Sequence, residues 1–556
     1  MKTENEPVVQ ASPPKIQCTI SGNIERVGII GAGEAGIATA KMLLAEGYEC
    51  TVFERNPRIG GVWTTGYLEF GTQVQRELYE IPDWPLPGDA PDFTPGPQIR
   101  VYLQSYADHF GVTPHVRLNT SVTGLHERGD GEPGWALVYR NPDGSEVSEN
   151  FDLVVIAMGV YSHTPSIPQF ANQQSFSGRI IHSSELQSRA QLERKNVVVV
   201  GYGKSATDVA ILAANHAQNA TLVFREAHWP VPAILTGGIP FKYALFNRIT
   251  NAMLPLHMHP TRIERIWHFF GKPIIWLFWR LVESLVVMQC GLKRPLRGKS
   301  ATQADLLPRQ PIEHDGFSNS TMLPKPEFFE YIHSGRLGAE RAEITACTKD
   351  GVVLSNGRRI DCDLLILATG WRTDYGFLPE KIRHRIGFGD DGFYLYRQML
   401  HPDVPNLAFI GSNAVSYINI LTHNLQARWL TELICGRHEL PSRDALLAEI
   451  EHMKVWKRAI IPASTARAAT LHLHMQQYHD QLLRDMRITA YRKRGALRLI
   501  RELFSPYQPS DYAEVASGQA MRREVSRRFI RDKHDSNDHV TPVGTAASPS
   551  PNQLTA

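Results

Sequence analysis

The sequence has no paired-cysteine motif. Its six cysteines, Cys18, Cys50, Cys290, Cys347, Cys362 and Cys435, are scattered and form no C-x-x-C. That spacing argues against a zinc site, a redox-active dithiol or a disulfide scaffold, so no metal is expected and a reducing, cytoplasmic setting fits. An excess of one charge is also missing. The net charge of +3 over 556 residues is too small to indicate a nucleic-acid partner. The N-terminus, with Glu4, Glu6, Pro7, Pro13 and Pro14, holds no apolar h-region, so no secretory signal is expected. Nor does any uninterrupted apolar run reach the ~18 residues of a spanning helix. The nearest is Pro273-Ile-Ile-Trp-Leu-Phe-Trp279, continuing past Arg280 and Glu283 through Leu285-Val-Val-Met288. A packed amphipathic helix is the favoured reading of Ile274–Trp279, with a membrane-surface or apolar-substrate helix as the alternative. At 42% hydrophobic and 21% charged residues the composition is that of ordinary globular domains, and the length suits roughly two to four of them.

What is present starts between Arg26 and Trp63. The apolar run Val27-Gly28-Ile29-Ile30 leads into Gly31-Ala32-Gly33-Glu34-Ala35-Gly36 and a Pro-free helical pattern, then into Cys50-Thr51-Val52-Phe53, which ends on Glu54. Strand, G-x-G-x-x-G turn, helix, strand and acid make the layout of a dinucleotide-binding βαβ unit. Gly31 permits the tight turn, and Gly33 lets the backbone approach a pyrophosphate at the helix N-terminus. Gly36 lets helix and strand pack closely, and Glu54 can accept a ribose hydroxyl. Next comes Asn56-Pro57-Arg58-Ile59-Gly60-Gly61-Val62-Trp63, whose paired glycines suit a backbone passing close to something flat or bulky.

A second pattern occurs twice. Trp135-Ala-Leu-Val-Tyr139, a turn at Asn141–Gly144 and another strand lead to Asp152-Leu-Val-Val-Ile-Ala-Met-Gly159. A strand near Thr345, turns at Lys349–Gly351 and Asn356-Gly357, and Val352-Val-Leu354 lead to Asp363-Leu-Leu-Ile-Leu-Ala-Thr-Gly370. Each is a β-meander feeding a buried strand that ends in A-x-G, which suggests two related nucleotide-binding halves. The second half has its own loop: Val197-Val-Val-Val200, then Gly201-Tyr202-Gly203-Lys204-Ser205-Ala206, and Gly201, Gly203, Ser205, Ala206 and, in the helix that follows, Thr207 and Asp208 are expected cofactor contacts. The next strand, Thr221-Leu-Val-Phe224, ends on Arg225. A cation there suits a 2′-phosphate and hence NADP over NAD, while Glu226 is the alternative, holding a free 2′-hydroxyl. One chain with two such loops can hold FAD in the first and NADPH in the second, with hydride passing between them.

Taken together, these residues resemble the class B flavoprotein monooxygenases, and most closely the flavin-containing monooxygenases. Besides both glycine loops, Phe176-Ser-Gly178-Arg-Ile-Ile-His182 matches the family's F-x-G-x-x-x-H, Gly60-Gly61-Val62-Trp63 its G-G-x-W, and Leu367-Ala-Thr-Gly370-Trp371 its A-T-G-aromatic element. Pro405–Gly411 resembles the late strand that returns to the flavin domain, and Gln426-Ala-Arg428 the helix after it. The resemblance runs from about residue 24 to 440. It implies an α/β fold of two Rossmann-like domains, the NADP domain inserted in the FAD domain, with a helical extension. The expected division is a disordered lead-in 1–23, an FAD domain 24–184 and 341–440, an NADP domain 185–340 with an aromatic-rich insertion at about 230–335, a basic helical extension 441–531 and a disordered tail 532–556.

The resemblance also implies a reaction. NADPH reduces FAD, reduced flavin captures O₂ as a C4a-(hydro)peroxide, and a small organic substrate takes an oxygen at a nucleophilic nitrogen or sulfur. A Baeyer–Villiger monooxygenase acting on a ketone, or a non-oxygenating NADPH-dependent flavoprotein reductase, are the alternatives. By the same resemblance Gly61, Val62, Trp63, Thr72 and Gly370 are cofactor contacts. Gln73 is the amide near flavin and nicotinamide, standing where many relatives carry Asn. His182 acts in the interdomain fingerprint, with domain coupling favoured over direct chemistry. Leu186 replaces the aromatic that usually closes the fingerprint, which removes the usual discriminator between substrate classes.

Overall fold

A computed structural model of the chain describes residues 19–161, 164–294, 306–315, 321–323 and 325–521. The Val- and Ile-rich runs around each glycine loop are buried on both faces, as parallel strands under helices must be. They build two five-stranded parallel sheets. In the first, strand β1 (Arg26–Ile30) precedes helix α1 (Glu34–Leu44) and lies between β2 (Glu49–Phe53) and the meander-fed strand Leu153–Ile156; Val116–Arg117 and Leu407–Phe409 form the edges. In the second, Asn196–Val200 lies between Asn219–Phe224 and the meander-fed strand Leu364–Leu367, with Gly338–Arg341 and Arg179–His182 at the edges. The loop strand is central in both, so the duplication read from the sequence is a duplication of topology. Ligands of such sheets bind beyond the carboxyl ends of the strands, where the order reverses.

The expected domain boundaries are corrected by strand pairing. Leu364–Leu367 pairs in register with Val197–Val200, and Arg179–His182 pairs with Leu364–Leu367. The strand Leu364–Leu367 therefore belongs to the second sheet, and the second meander, a separate three-stranded antiparallel sheet, packs against it, although 341–440 is expected in the first domain. Residues 179–184 likewise move to the second. The chain rejoins the first sheet only at Leu407–Phe409. An antiparallel pair, Thr164–Pro165 with Trp371–Arg372, marks the two crossings. The lead-in also differs from its expected disorder. Ser21 N–H donates to Asn406 Oδ1 (2.8 Å), Asn406 Nδ2 donates back to the Ser21 carbonyl (2.9 Å), and Thr19 is buried. Residues 1–18 and the tail 532–556 lie outside the described residues.

The insertion and the C-terminal extension form one helical layer despite their separation in sequence. Arg248 is clamped by both carboxylate oxygens of Asp480 (2.6 and 3.1 Å), Trp456 Nε1 donates to the Leu256 carbonyl (2.9 Å), and His474 Nε2 bonds the Pro255 carbonyl (2.8 Å). Helix Met475–Asp485 packs on helix Asn419–Ile434, which in turn packs on α1. The extension is therefore packed through residues 456–480, while Arg484, Arg487, Arg494, Arg498 and Arg501 stay exposed.

Lys457 in this layer is buried, and its ammonium donates to the Ala468 carbonyl, which also accepts from Gln398 Nε2 (3.1 Å). Burial pulls its pKa from 10.5 down to about 7. Because the folded value lies below the unfolded one, the unfolded chain holds more protons between those two pH values, and stability rises with pH across that window. Each unit of depression is worth about 1.4 kcal/mol. Lys457→Met is expected to raise the melting temperature at pH 7 by roughly 5 °C and to flatten the rise between pH 7 and 9. Thermal melts of both proteins across that range check this, and parallel pH profiles would refute it.

Candidate active site

The first cleft opens where β1 turns into α1. Gly31 has φ +105°, and a Cβ there would sit 2.7 Å from the Ala157 carbonyl oxygen; one on Gly36 would sit 1.9 Å from the Gly31 oxygen. These two glycines are demanded by the protein itself. Gly33 differs, because its backbone is extended and a Cβ would meet only the Gly61 Cα, at 3.5 Å. Gly33 starts α1 with no side-chain cap, so the first amides of that helix face the cleft with nothing in front of them. Glu54 is held at the rim: Oε2 accepts from Ala32 N–H (2.8 Å), and Oε1 accepts from both Asn56 N–H (2.8 Å) and Nδ2 (2.7 Å).

The cleft encloses about 470 Å³, and Gly31, Gly33, Glu34, Ala35, Glu54, Gly61, Val62 and Trp63 line it as expected. Ala32 and Gly36 are buried just behind that lining. Trp63 stacks on Phe70 (5.7 Å) and meets Tyr79 edge-on (5.3 Å), making an aromatic wall. An uncapped helix start, a bare Gly33–Gly61 approach, a fixed acid and an aromatic wall fit FAD.

The sequence reading missed the cleft floor. Glu34 Oε2 bonds His423 Nδ1 (2.7 Å), and Asn424 Nδ2 donates to Glu34 Oε1 (2.8 Å). Burial raises the Glu34 pKa, against the pull of His423. The only signal for His423 was its position three residues before Gln426 in the quoted helix. Thr72 and Gln73 do not line this cleft. Thr72 is buried with its N–H on the Thr94 carbonyl (3.0 Å), and Gln73 is exposed.

The second loop repeats the first. Gly201 has φ +130°, and a Cβ there would lie 2.5 Å from the Ala368 oxygen; Ala206, in the third-glycine position, is buried behind it. Gly203 starts helix Lys204–His216 with no side-chain cap and open space around it, and Ser205 is half-buried in its first turn. Thr207 and Asp208, expected as cofactor contacts, are spent on the protein. Thr207 Oγ1 donates to the Lys204 carbonyl (2.9 Å). Asp208 accepts from Lys204 Nζ and from the Tyr67 hydroxyl of the first domain (2.7 Å). Arg225 is exposed at the strand end, 3.9 Å from Glu343. Glu226 is occupied by Arg309 (2.8 Å) and Arg341.

His182 is buried, with Nδ1 on Ser184 Oγ (2.8 Å) and Nε2 on the Gly370 carbonyl (3.2 Å), beside the Trp371 ring. Burial lowers its pKa, and both nitrogens are used within the protein. It thus pins the crossing at Gly370 and reaches neither loop. Leu186 is buried next to it, and its carbonyl accepts Leu68 N–H (2.7 Å) across the domains.

The flavin-binding monooxygenase-like family model matches residues 24–268 and 326–490. The chain belongs to this family. It is an FAD-dependent NADPH monooxygenase. It is 28% identical over 528 residues to a probable flavin-containing monooxygenase 1 of Arabidopsis thaliana, covering 88% of this chain and 96% of that protein. It is 24% identical to an N-oxide-forming dimethylaniline monooxygenase 2 of Oryctolagus cuniculus, covering 89% of each. A cyclohexanone-bound cyclohexanone monooxygenase structure shares the fold at a TM-score of 0.62 and 19% identity, covering 83% of this chain and 97% of that one.

Gly33 and Gly36 should respond differently to one substitution. Gly33→Val is expected to fold with a near wild-type melting temperature yet purify colourless, because its side chain enters only the cleft. Gly36→Val should fail to fold, since its Cβ meets a backbone oxygen. Circular dichroism and flavin absorbance of both variants check this. A yellow Gly33→Val protein would place the flavin elsewhere.

Proposed function

We propose that this monooxygenase oxygenates a small organic substrate at a nucleophilic nitrogen or sulfur, drawing electrons from NADPH through FAD to O₂. The observation that supports it most is the pair of uncapped loop-to-helix junctions at matching edges of two sheets, with no thiol in the first cleft. Among the described residues the cysteines are free, and burial pushes the Cys50 and Cys362 thiols up to about 12, so neither serves as a dithiol electron acceptor. The N-oxide-forming relative favours a soft nucleophile as substrate.

When bound, FAD supplies hydride acceptance and the activation of O₂. This chain's residues do the rest. The helix starts at Gly33 and Gly203 would hold the phosphates, Glu54 would accept a ribose hydroxyl, and Trp63 and Tyr79, backed by Phe70, would shield the bound group from water. Tyr67–Asp208 and Leu68–Leu186 hold the two halves in a fixed relation. Turnover of a thioether and a ketone under ¹⁸O₂ tests the reading. Labelled sulfoxide is expected; labelled ester from the ketone alone would indicate Baeyer–Villiger chemistry instead, and NADPH consumption with no labelled product would indicate a reductase.

Because Glu226 is already paired, the 2′-phosphate falls to Arg225. Arg225→Ala is expected to raise the KM for NADPH at least tenfold, from a charge-assisted bond worth about 1.5–3 kcal/mol, and to leave NADH nearly unchanged. Steady-state kinetics with both coenzymes decide it, and equal losses would count against Arg225. Gln73, being exposed outside the cleft, is expected to leave FAD content unchanged on substitution by Ala. If its amide serves the interdomain space, the variant should yield more hydrogen peroxide per NADPH. Unchanged coupling would remove Gln73 from the reaction.

A further inference from the structure

Helices Arg262–Phe270 and Lys272–Cys290 adjoin at Gly271, and the face this helix pair leaves exposed is apolar. Ile263, Ile266 and Phe270 project from the first helix, with Ile263 80% and Phe270 75% exposed. On the second, Ile274, Leu277, Leu281, Leu285 and Met288 recur at three- and four-residue steps, one stripe, with Trp276 beside it at 62% exposure. The sequence favoured a packed helix for Ile274–Trp279, but only the opposite face is packed. Trp279, Val286 and Cys290 enter the second core, Trp279 Nε1 donates to the Met253 carbonyl (2.7 Å), and Arg280 pairs with Glu283 and Glu313.

A second patch lies on helix Arg498–Phe504, where Leu499, Ile500, Leu503 and Phe504 are exposed. This helix packs on helix Arg248–Asn251, and Trp267 and Trp279 of the helix pair donate to the carbonyls of Ala252 and Met253 just after it. The two patches thus share one support. Charge is one-sided on both. Arg262, Arg265, Lys272, Lys293 and Arg294 are exposed around the helix pair, and Arg498 and Arg501 around the second patch, where Arg494 is paired with Glu514. No acid in residues 261–294 or 491–504 is exposed: Glu264 caps its own helix, Glu283 is paired inward, and Glu502 is buried. The family match omits 269–325 and stops at 490, so most of this face lies in parts outside it.

We propose that this face docks on the surface of a lipid bilayer bearing anionic headgroups, with the helix pair and the Arg498–Phe504 helix lying in its plane. Apolar stripes with an interfacial Trp and a purely cationic rim are the chemistry of that interface. Helix Lys272–Cys290 is long enough to cross a membrane, but crossing would strand the Arg280–Glu283–Glu313 cluster in hydrocarbon. Self-association through this face would set cation against cation, which disfavours a second copy as the occupant.

Flotation of the full-length holoenzyme with phosphatidylcholine vesicles, with and without phosphatidylglycerol, tests this. Binding is expected to the anionic vesicles, weakened by salt. A variant carrying Ile266→Ser, Phe270→Ser, Leu277→Ser and Leu281→Ser should keep its flavin and melting temperature and lose at least tenfold in vesicle partitioning. Brominated acyl chains should quench the emission of the unsubstituted protein more than that of Trp276→Phe, a readout that needs no folding of the fourfold variant. Absent vesicle binding, binding unchanged in the fourfold variant, or a dimer that dissolves on substitution without any lipid binding would each overturn the proposal.

Discussion

Two backbone carbonyls set the conditions under which this molecule can hold nucleotides. The Ala157 oxygen abuts Gly31, and the Ala368 oxygen abuts Gly201, each too close for a side chain. Ala157 and Ala368 immediately follow the meander-fed strands, and their N–H groups donate to Ile30 and Val200 at the ends of the loop strands (2.9 Å each). The loop, the neighbouring strand and the meander are therefore one constraint. The turn can be tight only if the meander delivers its strand beside the loop strand, and the A-x-G repeat is the sequence trace of that contact. Once the turns are set, both helices begin in open space with unpaired amides, and a pyrophosphate is the ligand such a start suits.

A reaction shared between two nucleotides also requires the halves to keep a fixed separation. That task falls to a small set of bonds at the crossings: Tyr67 to Asp208, Leu68 to Leu186, and Thr369 to Ser166. Asp208, which reads from sequence as a cofactor contact, is instead buried and paired with Tyr67 and Lys204, which makes it a positioning residue. The insertion and the extension brace the same assembly from outside, since Arg248, Pro255 and Leu256 are all held by residues beyond position 450. That brace is also what presents the apolar helix pair Arg262–Phe270 and Lys272–Cys290 together with the Arg498–Phe504 helix.

Sequence alone determined the parts of this protein that depend on local chain geometry. Gly31, Gly33, Gly36, Gly201 and Gly203, the acid and the cation at two strand ends, and the repeated meander were all legible, because a turn of that shape restricts the residues within it wherever it occurs. Tertiary structure decided what depends on partners distant in sequence. The strand Leu364–Leu367 resembles its counterpart at Leu153–Ile156 so closely that only its pairing with Val197–Val200 shows which sheet owns it. His423 and Asn424 became part of the site because α1 packs on the helix that carries them, some 390 positions along the chain. The run from Ile274 to Trp279 is apolar on all sides, so its composition could not distinguish a buried stripe from an exposed one. That was settled by which face met the second core, a contact made by residues that no local pattern connects.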